Sequence, residues 1–235
     1  MLWPAYYAPT THRDLTTYEK IATLLLPVAR WGRLRVEGLD AVPADGPLLV
    51  VPNHDSQWDP VLVGLALRPR RRLRFLARAS LWRIPGLGPV LEALGQIPIR
   101  RGAGDAAALE HAVGALRSGE AVCVFPEGGL SRGERLRAHS GVGRLAQACP
   151  EARIVLCTVS GTTAYARFPC RPRVSVGFLV PEDGDPRPDE TPAEVATRLL
   201  NEIRSRVPPT PAGRRARVGG PPRARRARAR RASRS

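Results

Sequence analysis

Hydrophobic positions along this 235-residue chain switch repeatedly between two spacings, and the switches order a series of strands and helices. Over residues 14–34, Tyr18, Ile21, Ala22, Leu25, Val28, Ala29 and Trp31 recur at helical spacing, with Pro27 expected to kink the helix. Residues 48–51 are an unbroken apolar run of strand type that ends at Pro52. A second apolar run, residues 61–67, follows Asp59-Pro60 and reads as a helix. Residues 73–78 alternate apolar and basic, which predicts a strand. Residues 81–89 are apolar and rich in Gly and Pro, suited to a chain-lining or core segment, and residues 90–94 continue as a helix that Gly95 ends. Further along, the pattern predicts a short strand at 96–101, a helix at 105–117 and a buried strand at 121–125. A helix beyond Ser140-Gly141 and strands at 152–162 and 173–180 follow. Thr191-Pro192-Ala193-Glu194 is a capping box whose helix aligns Val195, Leu199, Ile203 and Val207 on one face.

Strands that alternate with helices predict an α/β fold, a single domain with a mixed, mostly parallel central sheet flanked by helices. The division expected is an N-terminal segment, residues 1–35, carrying the amphipathic helix; the domain proper, 36–209; and a basic tail, 210–235. Pro208-Pro209 closes the domain, and the tail beyond Gly213 has no apolar periodicity and is expected to be disordered.

Charge sharpens this division. The net charge is +16, yet residues 213–235 hold ten Arg and no acid, which leaves +6 for residues 1–212. Lys20 is the only lysine among the 37 basic residues, a bias that fits coding preference better than selection at each site. Ten arginines can hold anionic lipid or nucleic acid without reading sequence. No nucleic-acid module precedes them, so no specific nucleic acid is expected and a role at a membrane is preferred. Arg30, Arg33 and Arg35, with Trp31 and Leu24-Leu25-Leu26, would suit a helix lying on an anionic bilayer. The competing reading is an ordinary helix packed on the core.

Cys123, Cys149, Cys157 and Cys170 show no metal spacing and read as reduced thiols of a cytosolic protein. No run of 18 apolar residues is present and the N-terminus lacks a signal-peptide pattern, so neither a transmembrane span nor secretion is expected.

Candidate chemistry gathers where strands end. Asn53 and His54 follow the first buried strand, and Asp59 comes five residues after His54. A histidine can act as a base near neutral pH, and a carboxylate can fix its tautomer. Asp59 has a second reading, as the N-cap of the helix that begins at Pro60. Arg100 and Arg101 close the strand at 96–101, and arginine grips phosphate through paired, charge-assisted hydrogen bonds. Glu127, Gly128 and Gly129 follow the strand at 121–125 in a loop whose backbone can approach a ligand closely. Glu127 is expected to hold Arg101 or a substrate hydroxyl.

Together these stretches resemble the glycerophospholipid acyltransferase family, of the 1-acylglycerol-3-phosphate (lysophosphatidate) acyltransferase type. Asn53-His54 and Asp59 match its N-H-x4-D block. Residues 95–101, ending at Arg101, match the second block, and Phe125-Pro126-Glu127-Gly128-Gly129 with Ser131-Arg132 match the third. Residues 154–162 occupy the fourth, where Leu156 stands in place of the usual proline. A second departure follows block three, where the family often has a basic residue just before the glycine of the next helix and this chain reads His139-Ser140-Gly141.

The resemblance implies transfer of a fatty acyl group from acyl-CoA or acyl-carrier protein to the free hydroxyl of a lysophospholipid. The acceptor it favours is 1-acyl-sn-glycerol-3-phosphate, which would give phosphatidic acid. His54 and Asp59 would be the catalytic pair, and Asn53, Arg100, Arg101, Glu127, Gly128 and Gly129 would bind substrate. No metal and no cofactor beyond the acyl donor is implied. The partners implied are membrane lipids, with peripheral, monotopic attachment at the cytoplasmic face of the plasma membrane. Three alternatives stand beside it: an acyltransferase for a different lyso-lipid acceptor, a thioester hydrolase using the same pair, and a non-catalytic anionic-lipid- or nucleic-acid-binding protein working through its Arg tail.

Overall fold

The apolar run at 48–51 becomes a central strand buried on both sides. In the computed structural model, which describes residues 17–100, 105–167, 169 and 171–212, seven strands form one sheet. They are β1 (Arg35–Glu37), β2 (Leu48–Pro52), β3 (Leu73–Arg78), β4 (Ile97–Ile99), β5 (Ala121–Cys123), β6 (Arg153–Ser160) and β7 (Ser175–Leu179). The spatial order is β1-β7-β6-β2-β5-β3-β4. The β6–β7 pairing is antiparallel and the other pairings are parallel, so β1 and β7 run opposite to the rest.

The helices are α1 (Thr17–Trp31), α2 (Asp59–Leu67), α3 (Leu87–Ala93), α4 (Ala106–Arg117), α5 (Gly141–Ala148) and α6 (Pro192–Arg206). Successive residues of a strand face opposite sides, and β2 divides its residues accordingly. Leu48 and Val50 join a cluster with Ala22 and Ala29 of α1 and Leu62, Val63 and Ala66 of α2. Leu49 and Val51 join Ala112 and Leu116 of α4, Leu145 of α5, and Leu199 and Ile203 of α6 on the other face. Two covered faces explain the absence of any polar residue from the run. Each fully buried leucine contributes about 1.5–3 kcal/mol.

The N-terminal helix spends its apolar stripe on this core: Ala22 and Ala29 are buried, and Tyr18, Leu25, Leu26 and Val28 pack against it. Leu24 alone projects, 79% exposed. Of the two readings of this helix, packing on the core accounts for the stripe, and Leu24 with the arginines is the part left to face outward. The arginine cluster after α2 also has a structural use. Arg70 donates to the Val42 carbonyl at 2.9 Å, and Arg71 donates to those of Gly46 and Gly119 at 2.9 and 2.7 Å. The capping box of α6 is present, with Thr191 accepting from Glu194 N–H and Glu194 from Thr191 N–H. Val207 falls just past the end of that helix.

Cys123, Cys149 and Cys157 are buried free thiols, and burial raises the pKa of each. Cys170, Arg101 and the basic tail lie outside the described residues.

Candidate functional site

Parallel strands bring their carboxyl ends to one edge of the sheet, the usual location of ligand sites in α/β folds. β2 delivers Asn53 and His54 there, β5 leads to Phe125 and Glu127, β6 leads to Thr162, and β4 leads to Arg100.

Asn53 continues the sheet with its side chain. It is fully buried; its Nδ2 donates to the Val159 carbonyl at 2.8 Å, and its Oδ1 accepts the Val159 N–H at 2.7 Å. The amide thus replaces a backbone partner at the end of the β2–β6 ladder. Its hydrogen-bonding edge is thus engaged within the protein.

His54 Nδ1 lies 3.0 Å from Asp59 Oδ2. The same oxygen accepts the N–H groups of Asp55 and Ser56, each at 2.7 Å, and Asp59 Oδ1 accepts the Thr162 hydroxyl at 2.5 Å. Asp59 opens α2 without capping it, because its carboxylate turns back over the preceding loop. This corrects the N-cap reading: the loop amides and His54 take the lone pairs that a cap would give to the helix. An oxygen that accepts two backbone N–H groups is matched by a donor on the ring, which puts the proton on Nδ1 and leaves the Nε2 lone pair free. The imidazole tilts against Phe125, with centroids 4.2 Å apart, and its side chain is 16% exposed while Asp59 is fully buried. The arrangement is an oriented histidine with one basic nitrogen available.

The loop after β5 grips His54 by its main chain. Glu127 Oε2 accepts the His54 N–H at 2.7 Å, and the Ser131 N–H donates to the His54 carbonyl at 2.8 Å. Glu127 was expected to hold Arg101 or a substrate hydroxyl. Its buried carboxylate points inward to Arg204 of α6, which donates from Nε to Oε1 at 2.9 Å and from Nη2 to Oε2 at 2.8 Å. The same guanidinium reaches Asp55, with Nη1 to Oδ2 at 3.1 Å and Nη2 to Oδ1 at 2.8 Å. Asp55 also accepts the Ser131 hydroxyl. Burial raises the Glu127 pKa against the opposing pull of Arg204 and the His54 N–H. Burial opposes the charge on Arg204, but hydrogen bonds and attraction from Asp55 and Glu127 outweigh it and hold its pKa above the ordinary value.

Gly128 has φ +61, and a Cβ there would sit 2.7 Å from His139 Cδ2, so glycine is required by both backbone and space. Gly129 lies next in the same turn. Arg100 is exposed at the end of β4, where its N–H donates to Asp105 Oδ2 at 2.8 Å. Among the described residues no group of three or more His, Cys, Asp or Glu side chains is placed to hold a metal ion.

Thr162 and Arg204 are contributors that the sequence patterns did not single out. Thr162 follows an otherwise ordinary strand end and carries no local signal. Arg204 continues the buried line of Ala196 and Leu200 at helical spacing, and an arginine in such a line was the available clue.

A partly buried, oriented histidine at the carboxyl edge of a mostly parallel sheet matches a known class. The chain belongs to the Acyltransferase family, whose sequence profile matches residues 33–161. Within that family it is 36% identical over 115 residues to a lyso-ornithine lipid O-acyltransferase of Pseudomonas aeruginosa, covering 48% of this chain and 42% of that protein. It is 25% identical over 196 residues to a 1-acyl-sn-glycerol-3-phosphate acyltransferase of Streptococcus pneumoniae, covering 81% and 72%. The chain thus spans less than half of the first relative and nearly three quarters of the second. Its fold matches the crystal structure of the 1-acyl-sn-glycerophosphate acyltransferase of Thermotoga maritima, with TM-score 0.59, 22% identity, and coverage of 83% and 82% of the two chains.

Proposed function

We propose that the protein transfers a fatty acyl group from an acyl thioester to the free hydroxyl of a lysophospholipid, with 1-acyl-sn-glycerol-3-phosphate as the acceptor. The observation that carries this reading is the His54–Asp59 pair, whose Nε2 is free at the strand edge. In it, His54 Nε2 takes the proton of the glycerol hydroxyl as the oxygen attacks the thioester carbonyl. Collapse of the tetrahedral adduct expels the thiolate, which takes that proton and leaves as free thiol. Ester and thiol are the products, and atoms balance without a metal or cofactor. Arg101, with Arg100 beside it, holds the acceptor phosphate in this reading, and acyl-CoA or acyl-carrier protein serves as donor. The likeness to the Pseudomonas enzyme supports a second acceptor, a lyso-ornithine lipid.

Attachment is peripheral, at the cytoplasmic face of the plasma membrane. Among the described residues no helix is long and apolar enough to cross a membrane. Leu24, Ile84 and Trp58 present apolar surface, 79%, 47% and 39% exposed.

The test incubates purified protein with acyl-CoA or acyl-carrier protein and a mixture of lyso-lipids, followed by lipid mass spectrometry. Formation of phosphatidic acid that is abolished by His54→Ala supports the reading. Thioester loss that ignores added lyso-lipid would replace it with a hydrolase. Arg101→Ala is expected to raise the acceptor KM far more than the donor KM. Flotation with anionic liposomes, with and without residues 213–235, tests the attachment and the part the tail takes in it.

A further inference from the structure

Two buried carboxylates that the chemistry itself does not use flank His54, one on its own loop and one on the loop after β5. Asp55 follows His54 directly, and Glu127 accepts the His54 N–H. Both side chains converge on one guanidinium, and Asp55, Glu127 and Arg204 are 3%, 0% and 2% exposed at their side chains. Arg204 is distant in sequence, 149 residues from Asp55 and 77 from Glu127. Its Nε, Nη1 and Nη2 all donate, the last to both carboxylates at once, and Nη1 also reaches the Val207 carbonyl at 3.3 Å.

We infer that Arg204 is a positioning residue for His54. Its planar fork fixes Glu127, which holds the His54 N–H, and it fixes Asp55, whose own N–H donates to Asp59 Oδ2 at 2.7 Å. The two carboxylates therefore set the main chain on either side of His54 and, through Asp59, the ring. A lysine carries the same charge but no fork, so it cannot hold both carboxylates in this geometry. A displacement of the histidine by about 1 Å is enough to cost about 10²-fold in rate. The inference deepens the acyl-transfer reading proposed above and rests on it only for the kinetic half of its test.

The test compares full-length wild type with Arg204→Lys and Glu127→Gln, with Arg206→Lys, on the exposed side of α6, as control. Circular dichroism first establishes which variants are folded. The imidazole Nδ1–H resonance, assigned to His54 by its loss in His54→Ala, reports the His54–Asp59 hydrogen bond directly. In folded Arg204→Lys this resonance is expected to shift or broaden. There kcat should fall about 10²-fold, with both KM values within about twofold, and the control should match wild type. An unchanged resonance and kcat in folded Arg204→Lys overturns the inference. If Arg204→Lys does not fold, Glu127→Gln decides, since it keeps an acceptor for the His54 N–H while breaking the charge pair; wild-type resonance and kcat there overturn it equally. A resonance that responds in a protein without acyltransferase activity upholds the positioning role and sinks the function.

Discussion

The main-chain N–H of His54 donates to Glu127 Oε2 across 2.7 Å, so the carboxylate that looked ready for a substrate instead holds the histidine's backbone. The third sequence block thereby serves the first. Among the groups that reach solvent at this edge are the imidazole, the glycine turn and Arg100.

His54→Ala removes the proposed base and little else, because its side chain is partly exposed. General-base catalysis supplies about 10²–10⁴-fold. Activity should fall by that factor while the thermal midpoint stays near wild type. Asp59→Asn should lose activity similarly and also unfold at lower temperature, because an amide cannot satisfy every donor around that buried position. Steady-state kinetics paired with thermal melts separates the two.

Thr162→Val keeps the shape of the side chain but leaves Asp59 Oδ1 without its hydroxyl donor. An unsatisfied buried acceptor costs about 1–3 kcal/mol. The variant should be destabilised by that amount in urea titration and lose about tenfold in kcat, equivalent to about 1.4 kcal/mol at the transition state. Thr162→Ser, which keeps the hydroxyl, should recover most of both.

Asn53→Ala tests whether that amide is structural. It deletes the pair with Val159 inside the protein, so stability should drop by about 1–3 kcal/mol or more. The acceptor KM of the folded fraction should stay within about twofold. A large rise in KM without loss of stability would place Asn53 in the substrate site.

Acid stability should depend on a pair remote from this edge. Hydrogen bonds from Arg198, with the Arg187 N–H behind them, lower the Glu190 pKa to about 2 from an ordinary 4.5. A depressed carboxylate pKa stabilises the fold above the unfolded value, and that stabilisation is lost as pH falls through the folded one. The thermal midpoint should therefore decline between pH 4.5 and about 2, and Glu190→Gln should flatten that decline. An identical slope in the variant would refute the assignment.

The elements were legible where one physical signal governed them. The doubly buried β2 is an uninterrupted apolar run, and Thr191 and Glu194 announce the start of α6 by local hydrogen bonding. His54 and Asp59 could be paired because only five residues separate them. Polar side chains turned inward were not legible. Asn53 and Glu127 look, in sequence, like loop residues free to meet a ligand, and their partners Val159 and Arg204 lie 106 and 77 residues away. Asp59 misled in the opposite sense: Asp-Pro before an apolar run has the form of a cap, yet the carboxylate serves the loop before it. The N-terminal helix left two readings open because its arginines suit a bilayer surface while its apolar stripe suits a core, and the stripe does pack on the core.

The order of synthesis gives the Arg204 contact a further consequence. A ribosome releases Asp55 and Glu127 long before α6, so the nascent chain carries both acids without the Arg204 guanidinium until that helix emerges and docks. The histidine loop can reach its finished geometry only after nearly the whole domain has been made. A ribosome-bound chain halted before Arg204 would then display every one of the matched sequence blocks and still lack the contacts that set the main chain around His54.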